Sequence, residues 1–99
     1  MTGWKTCLRV ELEVDAVQVE QVETRIEALG VTGWTVLSAH SGRSADGRWS
    51  RAGQVTASGR RMLVVFTITP ALAETIRDAL QDEMVRLNGV IIAYPVTTP

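Results

Sequence analysis

The chain has 99 residues, of which 45% are hydrophobic and 21% charged, with a formal net charge of −1. These values suit a single globular domain over residues 1–99 and exclude both a largely disordered chain and a uniformly basic nucleic-acid binder. The one cysteine, Cys7, excludes an internal disulfide and a multi-cysteine zinc site. No stretch approaches the roughly 20 apolar residues of a membrane span. Trp4, Lys5 and Arg9 interrupt the only early apolar stretch that could serve as a signal peptide. The expectation is a cytoplasmic protein without a membrane span, and in so short a domain self-association is a natural source of further burial.

Leu8, Val10, Leu12 and Val14 alternate with Arg9, Glu11 and Glu13, which predicts a first strand with one buried face. Asp15 then stands as a helix N-cap with Gln18 in capping-box spacing. Val19, Val22, Ile26 and Leu29 form one helix face, with Glu20, Glu23, Glu27 and Arg25 outside it, and Gly30 is the stop. A second strand is predicted over 34–39. The third, over 62–68, is apolar at nearly every position and therefore central. Thr69 and Pro70 give an N-cap followed by proline at the first helical position. Leu72, Ile76, Leu80, Met84 and Leu87 form the apolar face of this second helix, and Asn88-Gly89 stops it. A fourth strand over 90–94 ends at Pro95. The order β-α-β-β-α-β predicts an α+β, ferredoxin-like fold, a four-stranded antiparallel sheet with both helices on one face. Trp34, Val64, Phe66 and Ile91 are not expected all to fit under the helices, so the open face needs a second cover, and a homo-oligomer is inferred.

Residues 41–59 have no apolar periodicity and predict a long, flexible loop between the second and third strands. It holds Gly42, Gly47, Gly53 and Gly59 among four serines and three arginines. Residues 40–61 carry a net charge of +4 and the rest of the chain −5, so one basic segment sits on an acidic body. Glycine lets backbone N–H groups approach an anion, and arginine supplies a fixed charge with a bidentate fork. Trp49, flanked by Arg48 and Arg51, is the residue type that anchors a loop on a partner surface. Because serine, glycine and arginine bury little, this loop is expected to be disordered without ligand.

Enzymatic motifs are absent from the sequence: it has no P-loop, HExxH, GxSxG or zinc-spaced cluster. His40 and Cys7 lack sequence partners that would make them a base or a nucleophile. Glu11 and Glu13 read as the outer face of the first strand, and Glu20, Glu23 and Glu27 as a solvated helix face.

The segment Gly30-Val31-Thr32-Gly33-Trp34-Thr35-Val36 resembles the PII-like signalling proteins. There a Gly-x-x-Gly-x-Thr-Val stretch joins the first helix to the second strand, and a large T-loop follows. The element order and loop placement match over nearly the whole chain. The short chain and the Ser41-Gly42-Arg43 opening of the loop look most like the carboxysome-associated PII-like branch. The resemblance implies a homotrimer with its sheets turned inward and adenine-nucleotide sites in the clefts between subunits. It implies that Gly33 and Thr35 lie at the adenine and that the backbone of Phe66 and Thr67 reads the base. It further places Ser41, Gly42 and Arg43 at the phosphates, with Gly89 and Val90 in the B-loop that closes the cleft. Arg60 and Arg61 are the other available phosphate ligands, and strand alternation sends them to opposite faces. An unidentified protein target would meet the T-loop through Arg48, Trp49 and Arg51.

The chain departs from the family at several positions. Val90 stands where standard members carry lysine, Leu87 where they carry glycine, and Tyr94, on the last strand, is the only tyrosine. The family's C-terminal phosphate-gripping arginines have no match before Pro99. Fewer phosphate contacts favour ADP or AMP, or a cyclic nucleotide, over magnesium-ATP. The branch resemblance adds bicarbonate as a co-effector. No metal and no prosthetic group are expected. The expected function is a non-catalytic sensor in inorganic-carbon or carboxysome regulation. One rival is a small dimeric ferredoxin-like α+β barrel enzyme that would bury His40 or Cys7 in a pocket. The other is an RNA-binding module, which needs exposed aromatics on the first and third strands.

Overall fold

The structure, a computed structural model, describes residues 3–44, 47–50 and 60–99. In chain order it comprises β1 (Lys5–Asp15), a 3-10 turn (Ala16–Gln18), α1 (Val19–Ala28), β2 (Thr35–Ser38) and β3 (Ser41–Ser44). After these come β4 (Gly47–Ser50), β5 (Arg61–Ile68), α2 (Pro70–Arg86) and β6 (Val90–Thr98). The main sheet has the order β2-β5-β1-β6, antiparallel throughout, as the ferredoxin-like reading requires. No helix among the described residues is long and apolar enough to cross a membrane.

Register decides what each face carries. Val10 lies opposite Phe66 and Ala93, and Leu12 opposite Val64 and Ile91. Val10, Leu12, Val64, Phe66 and Ile91 lie under the helices with Val22 and Ile26 of α1 and Ile76, Leu80 and Met84 of α2. Val64 and Phe66 are fully buried there, and Trp34 and Ile91 pack against the same core. The four residues expected to be too many for one face are thus all accommodated on it. Alternation instead sends a different set to the bare face: Leu37, Leu63, Val65, Val90, Ile92 and Tyr94. Leu37 and Ile92 are about half exposed there, at 49% and 50%. Val90 and Tyr94 are exposed on the same face.

Two further differences from the sequence reading have plain causes. The fourth strand does not stop at Pro95 but runs to Thr98. β6 pairs with β1 alone, and an edge strand tolerates the missing proline N–H. The first part of the 41–59 stretch is a two-stranded antiparallel ribbon, β3 with β4, separate from the main sheet. Short polar strands of this kind have no amphipathic pattern to betray them. Residues 51–59 lie outside the described residues.

The α2–β6 turn shows the tightest local fit. Asn88 takes the left-handed conformation, φ 54°, and Gly89 N–H donates to the Met84 carbonyl at 2.8 Å. A Cβ on Gly89 would lie 2.9 Å from the Glu13 carbonyl oxygen and 3.1 Å from Val14 Cγ1. The first of these is strand backbone and cannot give way. Gly33, by contrast, has nothing within 4 Å of its would-be Cβ. Gly89→Ala is therefore expected to destabilise by about 1–3 kcal/mol. Gly33→Ala is expected to stay within about 0.5 kcal/mol of the parent. Urea unfolding midpoints of the two variants test this, and equal midpoints would contradict the packing account.

Candidate functional site

The loop strand ends, the end of β1 and the α2–β6 turn meet at one end of the sheet, and Arg61 joins them. Its Nη1 pairs with Asp15 Oδ1 at 3.2 Å and its Nε with Glu13 Oε1 at 3.4 Å. Its Nη2 donates to the Glu13 carbonyl at 3.3 Å and, at 3.5 Å, to that of Asn88. The Arg61 carbonyl accepts from Ala39 N–H at 3.0 Å, closing the loop at its base, and the Arg60 carbonyl accepts from Ala16 N–H at 2.8 Å. Gln18 adds a second brace: Nε2 donates to the Leu87 carbonyl at 3.2 Å while Oε1 accepts from Asp15 N–H at 3.1 Å. The capping-box spacing foretells the second bond. The reach to Leu87 spans 69 positions and has no local signature.

The two arginines at the loop exit differ sharply. The Arg61 guanidinium is engaged by two carboxylates and two carbonyls. Arg60 is half-buried, its Nε is fully buried, and no hydrogen-bond partner meets that atom. Neither Arg60 nor Arg43 has an ion-pair partner among the described residues. In the ribbon, Ser41, Gly42 and Arg43 stand opposite Ser50, Trp49 and Arg48. Arg51 lies outside the described residues.

The residues matched to the adenine lie toward the other end of the sheet. β2 pairs with β5 only from Met62 to Val65, starting at Thr35. β5 therefore runs on past the end of its pairing with β2 at Phe66 and Thr67, of which Thr67 is exposed and Phe66 is buried. The Phe66 side chain itself is in the core, 1% exposed. The preceding Trp34 is fixed by its indole N–H, which donates to Glu23 Oε2 at 2.8 Å. Glu23, read from the sequence as part of a solvated face, thus holds the Gly33–Thr35 segment to α1. Along β5, Thr67 is six residues from Arg61, about 20 Å at about 3.4 Å per residue. The structure brings Ser41, Arg60, Arg61, Gly89 and Val90 toward one end and Gly33, Thr35, Phe66 and Thr67 toward the other. It does not bring the two groups together within one chain.

On the bare face the charged stripe of β1 is satisfied internally. Arg9 Nη1 donates to Thr67 Oγ1 at 3.1 Å, and Tyr94 O–H donates to Glu11 Oε2 at 2.6 Å. That hydrogen bond to Glu11 holds the Tyr94 phenol above its usual pKa. His40 is exposed, and Cys7, though buried within β1, does not line the cleft formed by Leu8, Val10, Ala73, Ile76, Arg77, Gln81, Ile91 and Ala93. Phe66, the aromatic an RNA module would stack on, lies under the helices.

No family model matches the sequence, and no curated protein matches it. Solved structures do. The chain superposes on the nitrogen regulatory PII-like protein CPII of Thiomonas intermedia K12, bound to ADP, AMP and bicarbonate, with a TM-score of 0.86 at 13% identity. That match covers 99% of this chain and 92% of the other. A PII-like signaling protein of Thermus thermophilus matches with a TM-score of 0.72 at 14% identity over 98% of this chain and 92% of its own. The GlnK–ATP complex of B. subtilis gives 0.54 at 20% identity, covering 97% and 84%. The chain has the PII-like, ferredoxin-like fold.

The geometry makes Arg61 a brace for the α2–β6 turn. Arg61→Ala is expected to lower stability by about 1–3 kcal/mol, the worth of a charge-assisted hydrogen-bond cluster. Arg61→Lys, which keeps the charge but not the fork, should recover only part of it. Thermal unfolding without nucleotide reads this directly, and a midpoint unchanged in Arg61→Ala would overturn the assignment.

Proposed function

We propose that the protein is a non-catalytic PII-like regulator that binds ADP or AMP in clefts between the copies of a homotrimer, with bicarbonate as co-effector. The observation that carries this reading is the contrast at the loop exit: Arg61 is engaged by Glu13 and Asp15, whereas Arg60, with its orphaned buried Nε, and Arg43 have no ion-pair partner among the described residues. A guanidinium beside a glycine-containing loop suits phosphate or bicarbonate. The adenine is assigned to the stretch of β5 at Phe66 and Thr67 that runs on past its pairing with Thr35–Ser38, where Thr67 is exposed. These two half-sites lie apart within one chain, so a second copy must complete the cleft. The bare sheet face supplies the surface for that association. CPII, the structural neighbour bound to ADP, AMP and bicarbonate, supports the ligand class.

Nucleotide binding then orders the T-loop, which presents Arg48, Trp49 and Arg51 to a protein target, an order–disorder switch. The cellular setting of this reading is inorganic-carbon regulation in the cytoplasm, in association with the carboxysome.

Titration calorimetry with AMP, ADP, ATP and cyclic AMP, each with and without bicarbonate, tests the ligand assignment. ADP or AMP is expected to bind. Arg60→Ala and Arg43→Ala should each weaken binding about tenfold or more, since a charge-assisted hydrogen bond is worth about 1.5–3 kcal/mol. Trp49→Ala should leave it nearly intact. No binding of any adenine nucleotide would sink the reading. Light scattering tests the assembly: a trimer is expected for the parent and a monomer for Ile92→Glu, which puts a charge on the apolar bare face.

A further inference from the structure

A second cleft lies on the helix side of the sheet, away from both the bare face and the loop. Its volume is about 340 Å³. Leu8, Val10, Ile91 and Ala93 form its floor, and Ala73 and Ile76 of α2 form its wall. The space exists because α2 and β6 both present alanine to it, where larger side chains would close the gap. No carboxylate lines it. The polar groups at its rim are Arg77 and Gln81, one helical turn apart on α2. Arg77 is available: its side chain is 64% exposed and its one ion-pair contact, to Glu74, is 3.9 Å long.

An apolar slot with one cation and one amide at its mouth is complementary to an amphipathic anion. Its volume lies at the small end of the about 300–1,000 Å³ of ligand pockets, room for one short chain and not for a two-chain lipid. We propose that this cleft binds an unbranched aliphatic monocarboxylate of roughly six to ten carbons. The alkyl chain lies between α2 and β6 over Val10 and Ile91, and the carboxylate meets Arg77 and Gln81. This site is independent of the nucleotide reading.

The test is a two-dimensional NMR titration of the full chain with butanoate, hexanoate, octanoate and decanoate, and with 1-octanol as the uncharged control. The amides of Leu8, Val10, Ala73, Arg77 and Ala93 are expected to shift and saturate. Affinity should rise by up to about fourfold per added methylene until the slot is full. Octanoate should exceed 1-octanol by up to about fivefold, the worth of an exposed ion pair, and Arg77→Ala should erase that difference. Ala73→Leu, and separately Ala93→Leu, should abolish the saturable shifts by filling the space. Both should leave nucleotide titrations unchanged, so that failure here is distinguishable from failure of the nucleotide assignment. Shifts centred elsewhere, no dependence on chain length, or undiminished binding in both filled variants would overturn the proposal.

Discussion

Side chains alternate across β1 and β5, so each residue those strands place under the helices commits its neighbour to the bare face. β5 answers with Leu63, Val65 and Thr67, and β6 with Val90, Ile92 and Tyr94. β1 answers with charge: Arg9, Glu11, Glu13 and Asp15. A charged stripe on a surface to be covered is costly unless its partners come with it. Here they do. Thr67, Tyr94 and Arg61 satisfy the stripe from within the same chain. The face combines apolar flanks, which favour burial, with a polar spine that is partly paired within the chain.

The same arrangement sorts the basic residues of the loop base. Engaging Arg61 on Glu13 and Asp15 removes one cation from the surface and braces the α2–β6 turn. Arg60, one position earlier, lies before β5 begins and has no ion-pair partner among the described residues. Of the +4 that the chain carries over residues 40–61, the charge of Arg61 is thus the one seen to be paired among the described residues. This is a placement of charge rather than an excess of it, since the whole molecule is close to neutral.

Much of the fold is legible in the sequence because periodicity reports it. Leu8 to Val14 alternates, 62–68 is apolar at every position but Thr67, and Thr69-Pro70 and Asn88-Gly89 bracket α2 by local chemistry that tertiary context does not override. What periodicity does not carry is register. The strands are visible, but the pairing of Leu12 with both Val64 and Ile91 is not, and so Val64, Phe66 and Ile91 look from the sequence like competitors for space. Pro95 reads as a stop because edge position is a property of the sheet, not of the residue. At the site, resemblance finds the candidate residues, and composition singles out only the Gly/Arg loop. The separate fates of Arg60 and Arg61 depend on Glu13 and Asp15, 48 and 46 positions from Arg61, and no local pattern links them.

Splitting the candidate site between two ends of one sheet has a thermodynamic consequence. A ligand bridging groups on two copies binds only the assembled form, so it stabilises assembly and folding together by mass action. The ribbon is the part of the loop where that linkage can be read out. Two short strands alone are marginally stable in water. For any ligand held at the ribbon, the shift in its equilibrium is set by how much better the ordered form holds that ligand than the open form does. A loop poised near balance responds to a small differential affinity. One already rigid, or one whose arginines were paired like Arg61, would respond to none.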